Sequence, residues 1–442
     1  MDPDIPLLDE DEGDGGEAQG SRSDSEQDND VDFEGFVMDD DGLITTKYDV
    51  EQGLDPQNIP WDRLQVSRQR YRETRLEQYH NYVNLRESVD QNQERLNKEK
   101  TEVVKDGNFY GFHQNLQSVR SDIAHFQLRH LLWTTSKHDV YTTNENCINH
   151  YSTVARRSTK VLDLSGASTD SRSSGLGRVQ ISTFCVRHDL VAAGGFAGEL
   201  IVANLKKKGL QCSKRVTTSE MGITNGIDIF QGHSGGISIM TANNDNVVRI
   251  FDSEKFALQS QRKFEWPVNL AVANPCEGSS LAIVVGDDPH ALLLDLRTEA
   301  PAMRLKGHLD YSFAASWHPN DGHTDTSTRI WDLRKPNESR AILCGNMGAV
   351  RSLRYSHDGR FLAATEPADF VRLYDVESDY TRCQEIDLFG EIGGCSFTPD
   401  GYAFFLCVAD VVYSSLMEFT TSSVKRTSSQ KVQQASIREP TP

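Results

Sequence analysis

The stretch that decides the fold is Gly307–Arg334, GHLDYSFAASWHPNDGHTDTSTRIWDLR, followed closely by Tyr355–Val376, YSHDGRFLAATEPADFVRLYDV. Both consist of short β-branched and aromatic runs separated by turn signals such as HPND and HDG, which is the rhythm of antiparallel strands. Both also close a run with an aromatic residue followed by aspartate, Trp331-Asp332 and Tyr374-Asp375. Working outward, the same ending recurs at Phe251-Asp252 and Leu294-Asp295, with weaker forms at Tyr151-Ser152, Ala203-Asn204 and Tyr413-Ser414. The second residues of these marks lie 52, 48, 43, 37, 43 and 39 positions apart.

That period matches the ~40–45 residues of a four-stranded propeller blade, and seven marks predict an all-β, seven-bladed β-propeller over residues 107–419. The chain resembles the WD-repeat family of β-propellers, most clearly in the two stretches quoted. The resemblance implies a structural hydrogen-bonded set in the fifth unit: His308 near the blade start, Asp325 in the turn before the third strand, and Trp331 at that strand's end. Asp245 and Asp288 stand six residues ahead of their terminal residues as Asp325 does, whereas the sixth unit has Ala368 there. Asp252, Asp295, Asp332 and Asp375 are the terminal aspartates of the same set. The strings NIPWDRLQVSRQRYRETRLEQY (58–79), IAHFQLRHLLWTTSKHDVY (123–141) and ATEPADFVRLYDV (364–376) are similar to a subgroup of plant and fungal WD-repeat proteins. That likeness covers residues 55 to 419 approximately and implies a fold, with no catalytic residues to transfer.

The fifth unit is short. Pro319 to Trp331 spans 12 residues where the matching interval in the sixth unit, His357 to Tyr374, spans 17. After Gly322 only His323 and Thr324 precede Asp325, and at ~3.3 Å per residue two residues do not cross a blade. The expectation is a degenerate fifth blade lacking a strand, or a bulge over Asn320–Thr328 in its place.

The acidity is concentrated at one end. Of 65 acids and 46 bases, residues 1–55 hold 20 acids and only Arg22 and Lys47, a net of 2 − 20 = −18 out of −19. Such a segment buries too little apolar surface to offset its ordering entropy and is expected to be a disordered tail. Ser23 and Ser25 precede acids by three positions, the spacing an acid-directed kinase reads, and Val31, Phe33, Phe36, Val37 and Met38 form an apolar cluster among the acids. From Asn58 to about Lys105 the chain turns to Arg, Gln, Glu, Leu and Tyr with no glycine and a single proline, Pro60, near the start, which predicts a helical segment over residues 56–106. Tyr71, Gln78, Tyr79, Tyr82, Leu85 and Val89 place a stripe along one helical face, suited to the protein's own body or to a partner. Trp61-Asp62 opens this segment and is no blade mark. Residues 420–442 read as a flexible tail with a basophilic kinase string at Lys425–Ser428, Ser428 being its acceptor.

Composition narrows the function. A body with a net charge near −1 lacks the positive field that direct nucleic-acid or anionic-membrane binding needs. No apolar run approaches the ~18 residues of a membrane span, and the acidic start is unlike a signal peptide. The expectation is a soluble intracellular protein of cytoplasm or nucleus. Eight cysteines at least twelve apart, without C-x-x-C pairs, predict neither a disulfide framework nor a metal site. Gly232-His233-Ser234-Gly235-Gly236 fits the G-x-S-x-G formula, but ISIMTANNDNVVRIFD follows where a nucleophile elbow needs a helix, so a hydrolase using Ser234 is the weakest reading. No phosphate loop is present, Asn243–Asn246 reads as a turn, and Asp287-Asp288 falls in the turn of the structural aspartates. No catalytic residue and no cofactor is expected.

What remains is a rigid disc with loops on each face, a non-enzymatic scaffold for protein or peptide partners. Aligning the first strands puts Trp266, Tyr311, Arg351 and Glu391 at or just before them, a set rich in the residue types that anchor interfaces. The same residues equally suit packing between blades. A nuclear histone- or chromatin-associated adaptor is the alternative, since acidic tails screen basic partners and WD-repeat rings often bind histone peptides in the family.

Overall fold

The computed structural model describes residues 44–79, 96–166, 177–232, 235–276, 278–318, 322–324 and 328–421. Their strands form five four-stranded antiparallel sheets that follow one another along the chain. The first runs from Leu132–Thr134 to Arg157–Asp163, the second from Ile181–Arg187 to Leu210–Arg215, and the third from Thr224–Gln231 to Leu258–Lys263. The fourth runs from Val268–Ala273 to Ala300–Leu305 and the fifth from Ala315–Trp317 to Ala341–Leu343. The other strands make one eight-stranded sheet in which the long strand Cys383–Phe397 is shared. Its first half pairs with Ala368–Asp375 and its second half with Ala403–Ala409.

Burial explains the sequence of each sheet. Glu199–Asn204 (ELIVAN) and Ile237–Asn243 (ISIMTAN) are buried almost throughout, because neighbouring sheets cover both of their faces. Last strands such as Leu210–Arg215 (LQCSKR) and Leu258–Lys263 (LQSQRK) are mostly exposed, and their Lys, Arg and Gln side chains discourage edge-to-edge pairing. Apolar clusters then join each sheet to the next. Ile148 of the first packs with Phe184 and Ile201 of the second, and Leu200 with Ile227 and Ile239 of the third. Met240 meets Val268 and Val284 of the fourth, and Leu293 meets Trp317 of the fifth. Leu343 meets Leu353 of the eight-stranded sheet, whose two halves share Leu373, Ile392 and Leu406. Phe405 and Leu416 pack back on Leu132 and Val140 of the first sheet. The succession returns to its start.

The chain's two ends are tied in backbone. Tyr110–Leu116 pairs with Ser415–Thr421, Leu116 opposite Leu416, and Gln114 bonds Glu418 across 304 positions at 2.6 Å.

Three expectations change. The acidic tail read to residue 55 is ordered from Ile44: the uncharged Ile44–Thr46 pairs with Gln114–Leu116, and a Thr46/Asp49 capping box opens helix α1 (Lys47–Glu51). The helical segment read over 56–106 contains helix α2 (Arg68–Gln78), flanked by turns, while Thr101, Val104 and Gly107 run extended along Ile342, Thr381 and Cys383. Its β-branched Thr101 and Val103-Val104 favour that course. Tyr82, Leu85 and Val89 lie outside the described residues. In the fifth sheet the strand expected to be absent is present as Gly322–Thr324, opposite Ala315–Trp317 at three positions but meeting the next strand only at Thr324 and Arg329.

Candidate functional site

Of the four predicted partner-binding residues, the loops leading into the first strands position Trp266, Tyr311 and Arg351, whereas Glu391 stands inside the long strand Cys383–Phe397. Trp266 precedes Val268–Ala273 and packs on Phe264 with centroids 5.1 Å apart. Its ring lies on Gly286, where a β-carbon would come within 2.5 Å of the indole and 2.1 Å of the Pro267 carbonyl oxygen, so only glycine admits it. Tyr311 is half-buried beside Asp310, whose carboxylate accepts the Tyr311 N–H at 2.7 Å. Asn269 joins these two neighbourhoods by donating to the Asp287 carboxylate at 2.9 Å and the Ser312 carbonyl at 3.1 Å.

Arg351 is only 3% exposed, with its guanidinium 4.0 Å from the Phe313 ring centroid. Its Nε and Nη1 have no hydrogen-bond partner among the described residues, and burial pulls its pKa down to about 10. Glu391 is exposed and accepts from Arg129 at 3.1 Å, while Arg129, buried, also donates to the His125 carbonyl at 3.0 Å. Tyr79, at the C-terminal cap of α2, lies within electrostatic reach of Arg351, Arg129 and Glu391. Asp310 reaches both Asp287 and Arg351. The structure therefore brings Arg351 and Glu391 together around Arg129 and links Trp266 to Tyr311, with Asp310 between the pairs. Arg129, Phe313 and Tyr79 were missed by the sequence reading because they carry no repeat mark.

Helix α2 is seated next to this region by arginines. Arg72 donates to Asp369 at 2.5 Å, to Asp387 at 2.6 Å and to the Leu388 carbonyl, and stacks 4.2 Å from the Phe389 centroid. Arg75 donates twice to Asp369, at 2.6 and 3.0 Å. Trp61 and Tyr71 pack on Phe389 at 5.1 and 5.2 Å, and the Gln57 amide bonds both backbone groups of Phe389 at 2.6 Å.

The aspartates of the repeat shape turns. Asp252, Asp295, Asp332 and Asp375 each accept the backbone N–H two residues on, from Glu254, Arg297, Arg334 and Glu377, at 2.9–3.2 Å. Asp245 and Asp288 do likewise for Val247 and His290, and Asp245 also pairs with Arg249 at 2.6 Å. His308 packs on Trp331 with centroids 4.8 Å apart. Gly232 and Gly236 close a turn between two antiparallel strands, Gly232 N–H to Gly236 carbonyl at 2.7 Å, with no helix following. Ser234, Asp325, Ser23, Ser25 and Ser428 lie outside the described residues. Among the described residues no three His, Cys, Asp or Glu side chains gather as metal ligands, and no helix is long and apolar enough to cross a membrane.

No protein-family profile matches the chain, and no curated protein matches it in sequence. Solved structures do. A chain of the mitotic checkpoint complex superposes with a TM-score of 0.54 at 12% identity, covering 69% of this chain and 93% of that one. U3-55K gives 0.53 at 11% identity, covering 67% and 96%. At such identities the likeness concerns the fold, a propeller-like array of antiparallel sheets.

Proposed function

We propose that the chain is a seven-bladed WD-repeat β-propeller and a non-enzymatic scaffold that binds a protein or peptide through Trp266, Tyr311, Arg351 and Glu391. Five blades are the four-stranded sheets, the fifth being the degenerate one. The eight-stranded sheet supplies two more, sharing Cys383–Phe397, with Ile44–Thr46 as an added edge. The propeller takes up 107–421 with Ile44–Thr46 at its edge, residues 47–106 carry α1 and α2, and Ser23, Ser25 and Ser428 in the sequence on either side are acceptors for phosphorylation.

The observation that carries this reading is the Arg351 guanidinium, only 3% exposed, with the three N–H groups of Nε and Nη1 unaccepted among the described residues. Leaving charged donors in that state is costly, and a ligand carbonyl or carboxylate arriving between Tyr311 and Glu391 would relieve the cost. Membership of a complex by one similar chain supports a role in assembly. Affinity capture with the full chain tests it. The Tyr311→Ala variant, which leaves Arg351, the packing of Trp266 and the Arg129–Glu391 pair in place, is expected to lose partners while remaining folded by circular dichroism; an unchanged partner list would overturn the assignment.

A further inference from the structure

A second site lies deeper. Towards the ends of the first strands lies an open-mouthed cavity of about 320 Å³, lined among others by Ile227, Asp228, Ala273, Ser316 and Trp317. On its wall the Trp133 ring carries two guanidinium groups, Arg354 at 4.6 Å and Arg187 at 5.4 Å from the centroid. These cations are unequally matched. Arg187 donates to Asp228 at 3.1 Å, and the other oxygen of that carboxylate accepts the Ala273 N–H at 2.9 Å. Arg354 has no carboxylate among the described residues: it meets His130 Nδ1 at 3.3 Å and the Leu353 carbonyl at 3.4 Å, and its Nε is buried without a partner. His130 is neutral, since burial and Arg354 push its pKa down to about 3. The cavity holds one more cation than anion.

We infer that this cavity binds one carboxylate of an acidic peptide, with Arg354 as its partner and Trp133 and Trp317 as the apolar bed for the adjoining side chain. One surplus guanidinium matches a carboxylate, whereas a phosphate bearing about −1.5 to −2 charges would face Asp228 with its excess. The volume suits a side chain and part of its neighbour, at the low end of the ~300–1,000 Å³ of ligand pockets. The partner is a separate acidic peptide with interleaved phenylalanines, and the sequence of residues 22–42, synthesised as a free peptide, has that chemistry. The site is separate from the face proposed above and does not depend on it.

The probe is a fluorescent peptide of residues 22–42, titrated by anisotropy against the full chain. Arg354→Gln is expected to weaken binding at least tenfold, as is an all-amide peptide with Asn and Gln for its acids. Ser316→Glu sets a carboxylate inside the cavity without altering Arg354 and is expected to abolish binding, which keeps the test open if Arg354→Gln does not fold. Wild-type affinity in either folded variant, or for the amide peptide, would overturn the inference.

Discussion

Asp369 is the residue on which the N-terminal segment hangs. Fully buried, with φ +68°, it accepts from Arg72, Arg75 and the Gly390 N–H, so two guanidinium charges are satisfied by one carboxylate and its neighbour Asp387. Breaking a buried pair leaves an uncompensated charge, which costs about 3–5 kcal/mol. Asp369→Asn is therefore expected to lower the urea midpoint and to open α2 to limited proteolysis, while Asp387→Asn, at a half-exposed partner, does less. His130 makes a pH prediction. Its imidazole titrates near 6.5 when unfolded and near 3 in the fold, so between those values the unfolded chain holds the extra proton. The contribution is whole above about pH 6.5 and falls away towards pH 3, at up to about 1.4 kcal/mol per pH unit. Urea melts from pH 7.5 to 4.5 should show this loss, and His130→Gln should flatten it.

Among elements, the fifth sheet is the weak one. All four of its strands have three residues, and its second and third strands are opposed at one position only. Among the described residues the indole N–H of Trp331, 0% exposed, has no hydrogen-bond partner, and a buried donor left so costs about 1–3 kcal/mol. Backbone amides of Ala315–Trp317 and Thr328–Ile330 are expected to exchange with deuterium faster than those of Ile239–Ala242 in the third sheet. Inserting a six-residue strand between His323 and Thr324 should raise the melting temperature; no gain would show that the short strand already suffices. The shortness was legible in the spacing from Pro319 to Trp331, because a strand's reach is proportional to its residue count. That three residues still pair was not, since it depends on Ala315–Trp317 lying alongside.

For the molecule as a whole, cohesion rests on the pairing of Tyr110–Leu116 with Ser415–Thr421. A chain ending at Ser414 exposes the edges of both Tyr110–Leu116 and Ala403–Ala409 and strips Leu416 from its cluster with Leu132 and Val140. It is expected to lose cooperative unfolding and to aggregate, because open hydrophobic edges recruit other chains.

The sequence alone determined what is local: strand rhythm, the period of the modules, and the turn aspartates Asp252, Asp295, Asp332 and Asp375, whose side chains bond backbone only two residues away. Arg351 stands directly ahead of Ser352–Tyr355 as its alignment implied, whereas Glu391 falls inside the long strand Cys383–Phe397. Only the tertiary structure decided which long-range charges meet. Arg129 finds Glu391, Arg72 and Arg75 find Asp369, and Arg354 finds none, although all four arginines look alike in sequence. The stripe containing Tyr71 suggested an aromatic seat for α2, yet arginines hold it because the surface it meets presents Asp369 and Asp387. Partners 262 to 315 positions apart are chosen by closure of the sheets, and no local pattern encodes that choice.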